Sequence, residues 1–299
     1  MQSVIDIVAA ELGQPVSPAV VVMSTAIRQR HAKAAVGVLF YGSCLRRLEG
    51  EIESALLDFY LLVDDYAAAY DRAWLAWANK LLPPNVFYCE ADWNGSRLRA
   101  KYVVISLADF DRGCRPETEN VSIWARFSQP ARLVWSRDQA TAAKVAQACE
   151  TAARTMLGRV LPLLPGTREA EALWIRAFQE TYAAELRAES GERARQIFEV
   201  DRGRYIALTA AVTAEIGIPN QSKAEAERAW RRRRRRGKAL NYARLVKAAF
   251  TFDGGVDYVL WKVRRHSGVV VTVSDWQRRH PLLSAPGLAW QLYRRGAFR

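Results

Sequence analysis

Apolar residues change their spacing along this chain. Val4, Ile7, Val8 and Leu12 recur at helical intervals and predict a first helix. Ser17-Pro18 places a capping residue before a proline at the first helical position, opening a second helix through about Ala35. The pattern then turns β-like. Val36–Tyr41 is a short apolar run stopped by Gly42, and Leu56–Val63 is apolar throughout except for Asp58, as expected of a strand buried on both faces. Asp64 and Asp65 lie roughly 20 Å along such a strand and are read as solvated acids ending it. Tyr70–Leu82 reads as a helix closed by Pro83-Pro84. Val86–Trp93 and Arg97–Ser106 flank Asn94-Gly95, the strongest short-range hairpin signal. With that two-residue loop Tyr88 faces Lys101, Glu90 faces Arg99 and Asp92 faces Arg97, and all six share one face of the ribbon.

Beyond the hairpin the pattern is helical: Ala140–Leu161, Glu169–Ala188, Arg193–Gly217, Leu240–Phe252 and Val256–Arg265, with Val269–Val273 as a short strand and no repeat period. This order predicts an α+β protein: a mixed sheet with helices, then a mostly helical part and a basic amphipathic tail. The apolar run ending in Gly42-Ser43, followed by the run holding Asp58, makes the sheet resemble that of a nucleotidyltransferase. The expected divisions are 1–137, 138–222 and 223–299.

Charge sharpens the last division. The net charge is +13, yet residues 1–222 hold 25 basic and 26 acidic residues, and residues 223–299 hold 19 basic and 5 acidic ones. The whole excess sits in the last quarter and implies a polyanionic partner, nucleic acid or an anionic membrane surface. The run Arg231–Arg236 is read as a solvated or disordered segment, and Trp276–Arg299 mixes tryptophan and leucine with arginine, a composition suited to a lipid headgroup boundary. No apolar run reaches the roughly 18 residues of a membrane span. Met1–Gln14 carries Asp6 and Glu11 without an early basic cluster, unlike a secretory signal. Four scattered cysteines and three histidines have neither disulfide-framework nor zinc-ligand spacing.

The chemistry-bearing residues cluster around the β-like runs. A glycine ending a strand lets backbone approach a ligand, and Ser43 adds a hydroxyl and an N–H. An acid inside an apolar strand is costly unless it is paired or binds a metal, which makes Asp58 a candidate metal ligand. Nucleotidyltransferase strands usually carry a second acid two residues on; here Tyr60 stands there. Glu90 is the candidate substitute, against the plainer alternative of an ion pair with Arg99. Lys101 is read as a triphosphate contact or a strand-end lysine, and Arg126, set among apolar residues, as a phosphate contact or the partner of a core acid.

Tyr41-Gly42-Ser43, Leu57-Asp58-Phe59, Lys101-Tyr102-Val103-Val104-Ile105-Ser106 and Ala125-Arg126-Phe127-Ser128-Gln129-Pro130 occur in this order, followed by Asp201-Arg202 and Lys247–Lys262. The set resembles the mitochondrial-type phosphatidate cytidylyltransferases, the translocator assembly and maintenance family of CDP-diacylglycerol synthases, over most of residues 38–265. The chain departs from it at Cys44, Ala125 and Ser128-Gln129, where the family has glycine, glycine and Gln-Lys. The resemblance implies a bacterial relative, peripheral on the cytoplasmic face of the cell membrane. It implies transfer of CMP from CTP to phosphatidic acid with Mg2+. In that scheme Asp58 holds the metal, Tyr41, Gly42, Ser43 and Arg126 contact the nucleotide, and Lys101 stabilises charge on departing pyrophosphate. A nucleotidyltransferase acting on RNA or a small molecule, and a non-catalytic basic adaptor, are the other classes the sequence admits.

Overall fold

The computed structural model describes residues 2–46, 49–53, 55–185, 191–215 and 221–251, with residues 273, 274, 276, 277, 287 and 290 singly. The expected helix Val256–Arg265 lies outside them, as do most of Val269–Val273 and of the tail Trp276–Arg299.

In chain order the elements are α1 (Val4–Leu12), α2 (Pro18–Arg30), β1 (Ala35–Tyr41), α3 (Glu49–Glu53), β2 (Leu56–Val63), α4 (Tyr66–Ala69), α5 (Ala73–Leu81), β3 (Asn85–Trp93) and β4 (Ser96–Ser106). They continue with α6 (Leu107–Cys114), α7 (Trp124–Phe127), β5 (Ala131–Ser136), α8 (Gln139–Val160), α9 (Ala170–Ala184), α10 (Gly191–Val200), α11 (Arg202–Glu215) and α12 (Lys223–Thr251). The fold is α+β: a mixed five-stranded sheet, then a helical C-terminal part.

The strands lie in the order β3-β4-β2-β1-β5. All neighbours are antiparallel except β2 and β4, which run parallel. The hairpin forms as its turn residues dictate. Asn94 and Gly95 both take positive φ, and Tyr88, Glu90 and Asp92 face Lys101, Arg99 and Arg97. Strand alternation divides the core in two. Leu57, Phe59, Leu61 and Val104 face one way, with Met23 and Ile27 of α2. Tyr60, Leu62, Val103 and Ile105 face the other, with α1 and the C-terminal helices. On the first side buried His31 sets its Nδ1 2.8 Å from the Ala69 carbonyl and its Nε2 3.1 Å from the Tyr102 hydroxyl. A carbonyl only accepts, so Nδ1 carries the proton.

The second core is continuous from Val4 through the sheet to Trp230, so packing does not break near residues 137 or 222. Helix α8 supplies Val145, Ala148, Cys149, Ala152 and Met156 at helical spacing, and Asp138 caps it by accepting from the Thr141 N–H at 2.7 Å. Glu11 of α1 is buried and ion-paired with Arg204 of α11. It also accepts from the Ala131 N–H at 3.1 Å, while Arg204 donates to the Ser128 carbonyl at 2.9 Å. One ion pair thereby joins the first helix, the start of β5 and the helical layer.

Three expectations change. Where one helix is expected over Arg193–Gly217, the described residues form two, α10 and α11, split at Asp201, a residue type that favours helix starts over interiors. The helix expected from Tyr70 begins at Ala73, after the single turn α4 capped by Asp65. The arginine run is not disordered and is solvated only on one side: it is the middle of α12, a 29-residue helix. Arginine has high helix propensity, and tertiary contacts do the rest. Trp230 meets Trp124 edge-on at 6.0 Å and donates to the Arg159 carbonyl at 3.0 Å. Arg232 pairs with Glu119 at 2.8 Å, and Arg234 pairs with Glu180. Arg233 is only 1% exposed and lies over the Trp230 ring. Burial pulls its pKa down to about 10, with the nearby Arg159 adding to the effect. Arg231, Arg232, Arg235 and Arg236 are on the exposed side.

Gly237 lets α12 cross α9. A Cβ there would sit 2.4 Å from the Ala184 carbonyl oxygen, and backbone cannot yield as a side chain does. Glycine inside a helix ordinarily gains about 0.5–1 kcal/mol on replacement by alanine. Here Gly237→Ala is expected to lose about 1–3 kcal/mol, read as a lower urea midpoint at unchanged m-value. A stabilised variant would remove the close crossing from the account.

Candidate functional site

A cavity of about 610 Å³ opens where β1 ends and β2 begins, beside the middle of β4 and beneath the helices. Tyr41, Gly42, Ser43, Asp58, Lys101 and Arg126, from four separate segments, all line it, together with Gln129 and Pro130. Helices α9 and α10 and the residue after α9 close it with Thr181, Tyr182, Glu185, Arg193, Gln196, Ile197 and Val200.

The floor follows from strand register. Tyr41 pairs with Asp58 across the antiparallel β1–β2 ladder, and Asp58 with Lys101 across the parallel β2–β4 ladder. Residues opposite one another share a face, so the three side chains stand in a row. Lys101 Nζ is 3.3 Å from Asp58 Oδ1. That oxygen is shielded from solvent and accepts no hydrogen bond. Gly42 turns the chain out of β1 at φ +90, a region L side chains rarely adopt. A Cβ at Gly42 would reach only ordinary contact with Asp58, so conformation rather than space calls for glycine. Ser43–Arg46 follows as a single 3-10 turn.

The roof is a guanidinium over an aromatic pair. Arg126 donates to the Tyr41 hydroxyl at 3.0 Å and stands 4.0 Å from Glu185. It lies 5.1 Å over the Tyr41 ring and 5.9 Å over that of Tyr60. Burial works against its charge, but Tyr41, Tyr60, Glu185 and Asp58 around it hold its pKa above the ordinary arginine range. Burial likewise pushes the Tyr41 phenol well up, so its hydroxyl stays protonated. Arg126 thus has a core acid beside it and lines the cavity as well.

Tyr60 occupies the place of the usual second acid. It is buried, 5.3 Å from the Tyr41 ring and 4.9 Å edge-on to Phe127. Glu90 shares the face of Asp58 but stands two strands across and two residues along, roughly 12 Å away by sheet spacing. Its carboxylate accepts from the Tyr88 hydroxyl at 2.7 Å and from Arg97 at 3.2 Å, and Arg99 Nε lies 3.5 Å off. It does not line the cavity. Among the described residues no three His, Cys, Asp or Glu side chains gather around a metal position. One partly exposed, cavity-lining carboxylate still suits Mg2+, which takes one or two protein carboxylates and fills its shell with substrate phosphates and water.

Sequence reasoning missed the α9–α10 wall. Its residues are ordinary members of amphipathic helices, and only the fold of α10 back against α9 brings them to the cavity. No protein-family model matches this chain, and no curated protein matches it.

The Arg126–Tyr41 contact is testable alone. A double-mutant cycle of Tyr41→Phe and Arg126→Met, read by chemical denaturation, is expected to give a coupling of about 1–2 kcal/mol. Additive effects would mean the hydroxyl and guanidinium do not support each other.

Proposed function

We propose that the protein is a nucleotidyltransferase that transfers CMP from CTP to phosphatidic acid, giving CDP-diacylglycerol and pyrophosphate. The observation that carries this reading is the convergence of Gly42, Ser43, Asp58, Lys101 and Arg126 on one cavity. The family resemblance supplies the nucleotide and the acceptor.

The reaction needs little covalent chemistry from the protein. An oxygen of the acceptor phosphate forms a bond to the α-phosphorus of CTP. The bridging P–O bond to the β-phosphorus breaks, and its electron pair leaves with pyrophosphate. Catalysis is then alignment and charge stabilisation. Asp58 would hold Mg2+, which when bound neutralises phosphate charge. Gly42 allows the backbone to come close to the triphosphate. Lys101, next to Asp58, is placed to meet charge on the leaving group, and Arg126 is a fixed cation that pays no reorganisation. Discrimination among bases has no assigned residue.

The assay is CDP-diacylglycerol formation from phosphatidic acid vesicles, Mg2+ and each labelled nucleoside triphosphate in turn. CTP alone is expected to serve. Asp58→Ala is expected to lower the rate at least about 100-fold, and Glu90→Gln to leave it within about twofold. An unchanged rate in Asp58→Ala overturns the site. A collapse in Glu90→Gln would return that residue to the metal.

A lipid acceptor requires access to a bilayer. No helix among the described residues is long and apolar enough to cross one. Tyr242, Leu245, Val246 and Phe250 form an exposed stripe on α12, and Trp74, Trp77 and Leu81 form another on α5, with Trp77 at 66% and Leu245 at 64% exposure. Arg244 and Lys247 bring α12 against the turn after α5, donating to the carbonyls of Pro83 and of Leu82 and Pro84. Burial, with Arg244 alongside, pulls the Lys247 pKa down to about 8. These stripes, beside exposed arginines, suit an anionic surface. The double variant Trp77→Ser/Leu245→Ser is expected to weaken flotation with phosphatidate-containing vesicles about tenfold or more while melting as the wild type does. Undiminished flotation would remove these stripes from the interface.

A further inference from the structure

The helical wall of the cavity carries a second chemistry, distinct from the sheet floor. Arg193, Gln196, Ile197 and Val200 all line the cavity and recur at i, i+3, i+4 and i+7 along α10. The orientation is fixed by the adjoining face, because Ala194 and Phe198 are buried in the main core and Ile197 packs partly against it. The cavity-facing stripe is thus ordered: a guanidinium and an amide in the first turns, then two aliphatic side chains towards the end, Val200 standing exposed.

Arg193 differs from Arg126, the other arginine lining the cavity, and from Arg204 and Arg202 of the neighbouring α11. Arg126 has Glu185 and the Tyr41 hydroxyl, Arg204 has Glu11, and Arg202 has Glu199 and Glu171. Among the described residues Arg193 pairs with no carboxylate, and its side chain donates only to Gln196 Oε1 at 3.4 Å. A guanidinium without a counter-ion on a cavity wall is a ready partner for phosphate, which its planar fork can grip through two N–H groups. Attack on the α-phosphorus is in line with departure of pyrophosphate. The acceptor must therefore approach from a different side than the one where Gly42, Ser43 and Lys101 take the triphosphate. The floor comes from the sheet; α10 belongs to the helical wall.

Resting on the nucleotidyl-transfer reading above, we infer that this face of α10 is the acceptor subsite. It takes a phosphomonoester carried on an apolar tail: Arg193, oriented by Gln196, holds the phosphate, and Ile197 and Val200 lie along the first carbons of the tail. Arg193 is then a specificity-determining residue for the acceptor and has no part in holding CTP.

The test separates the two ligands by calorimetry, using dioctanoyl phosphatidate below its micellar concentration and, separately, CTP with Mg2+. Arg193→Ala is expected to weaken dioctanoyl phosphatidate binding about tenfold or more and to leave CTP binding within about twofold. Ile197→Ser is expected to weaken the lipid alone, by about threefold to tenfold. Glycerol 3-phosphate, with the same phosphate and no tail, is expected to bind far more weakly than the lipid. Equal affinity for it would overturn the apolar half of the subsite and leave a soluble phosphomonoester as the occupant. Loss of CTP binding in Arg193→Ala, or no binding of dioctanoyl phosphatidate by the wild type, overturns the assignment. If the lipid binds as expected but receives no CMP, the nucleotidyl-transfer reading falls and the subsite stands. Arg193 is exposed, so Arg193→Ala is expected to melt with the wild type.

Discussion

A carboxylate set in an apolar strand needs a cation, and the parallel pairing of β2 with β4 supplies one. Asp58 stands where β2 enters the core, with Tyr60 and Leu62 buried further along the same face. Burying the charge without a partner would cost several kcal/mol. In-register pairing puts Lys101 opposite, and the ammonium approaches without forming a full hydrogen bond. A fully hydrogen-bonded pair would be finished structure. This one is an ion pair without a full hydrogen bond, and both side chains stay partly exposed on the cavity floor. The rest of the site is assembled around this row, with Tyr41 on the neighbouring strand and Gly42 turning the chain away above it.

The cavity also needs its helical wall, and that wall is braced from outside the sheet. The Glu11–Arg204 pair ties α11 to α1 and to the backbone at Ser128 and Ala131. Those contacts flank Gln129 and Pro130, which line the cavity. On the other side α12 crosses α9 at Gly237 against Ala184, next to Glu185, the acid that Arg126 faces. The electrostatics of the roof therefore rest on two packing contacts far from it in sequence. A change at either can move Glu185 or Arg126 without touching the floor.

What the sequence disclosed follows from the range of the interactions involved. The hairpin register was legible because Asn94-Gly95 fixes it locally, and β1 and β2 were legible from unbroken apolar runs. The neighbour relation between Asp58 and Lys101 was only half legible: the hairpin gave the face of Lys101, but nothing local says that β4 runs parallel to β2. Glu90 shows the cost of that gap. It has the right face and the wrong distance, because β4 stands between its strand and β2. The arginine run misled for a related reason. Charge density reads as solvation, whereas α12 is held by Trp230 against Trp124 and by acids at Glu119 and Glu180, all remote in sequence. Arg193 carried no signal at all, since an arginine on an amphipathic helix is commonplace until the fold turns it towards a cavity.

Tyr60 bears on what kind of site this is. An acid there would add a second buried negative charge beside Asp58, and each would raise the cost of the other. The aromatic ring removes that cost and adds packing, meeting Tyr41 and Phe127 edge-on. It also gives Arg126 an aromatic surface, so a position that elsewhere would bring in a cation through a carboxylate here helps to hold one outright. In the proposed reaction, part of the charge neutralisation therefore moves from metal to guanidinium. Such a site would lean on one carboxylate for its metal and on fixed cations for the rest. Positive charge built into the fold is available before substrate arrives and needs no reorganisation when it does.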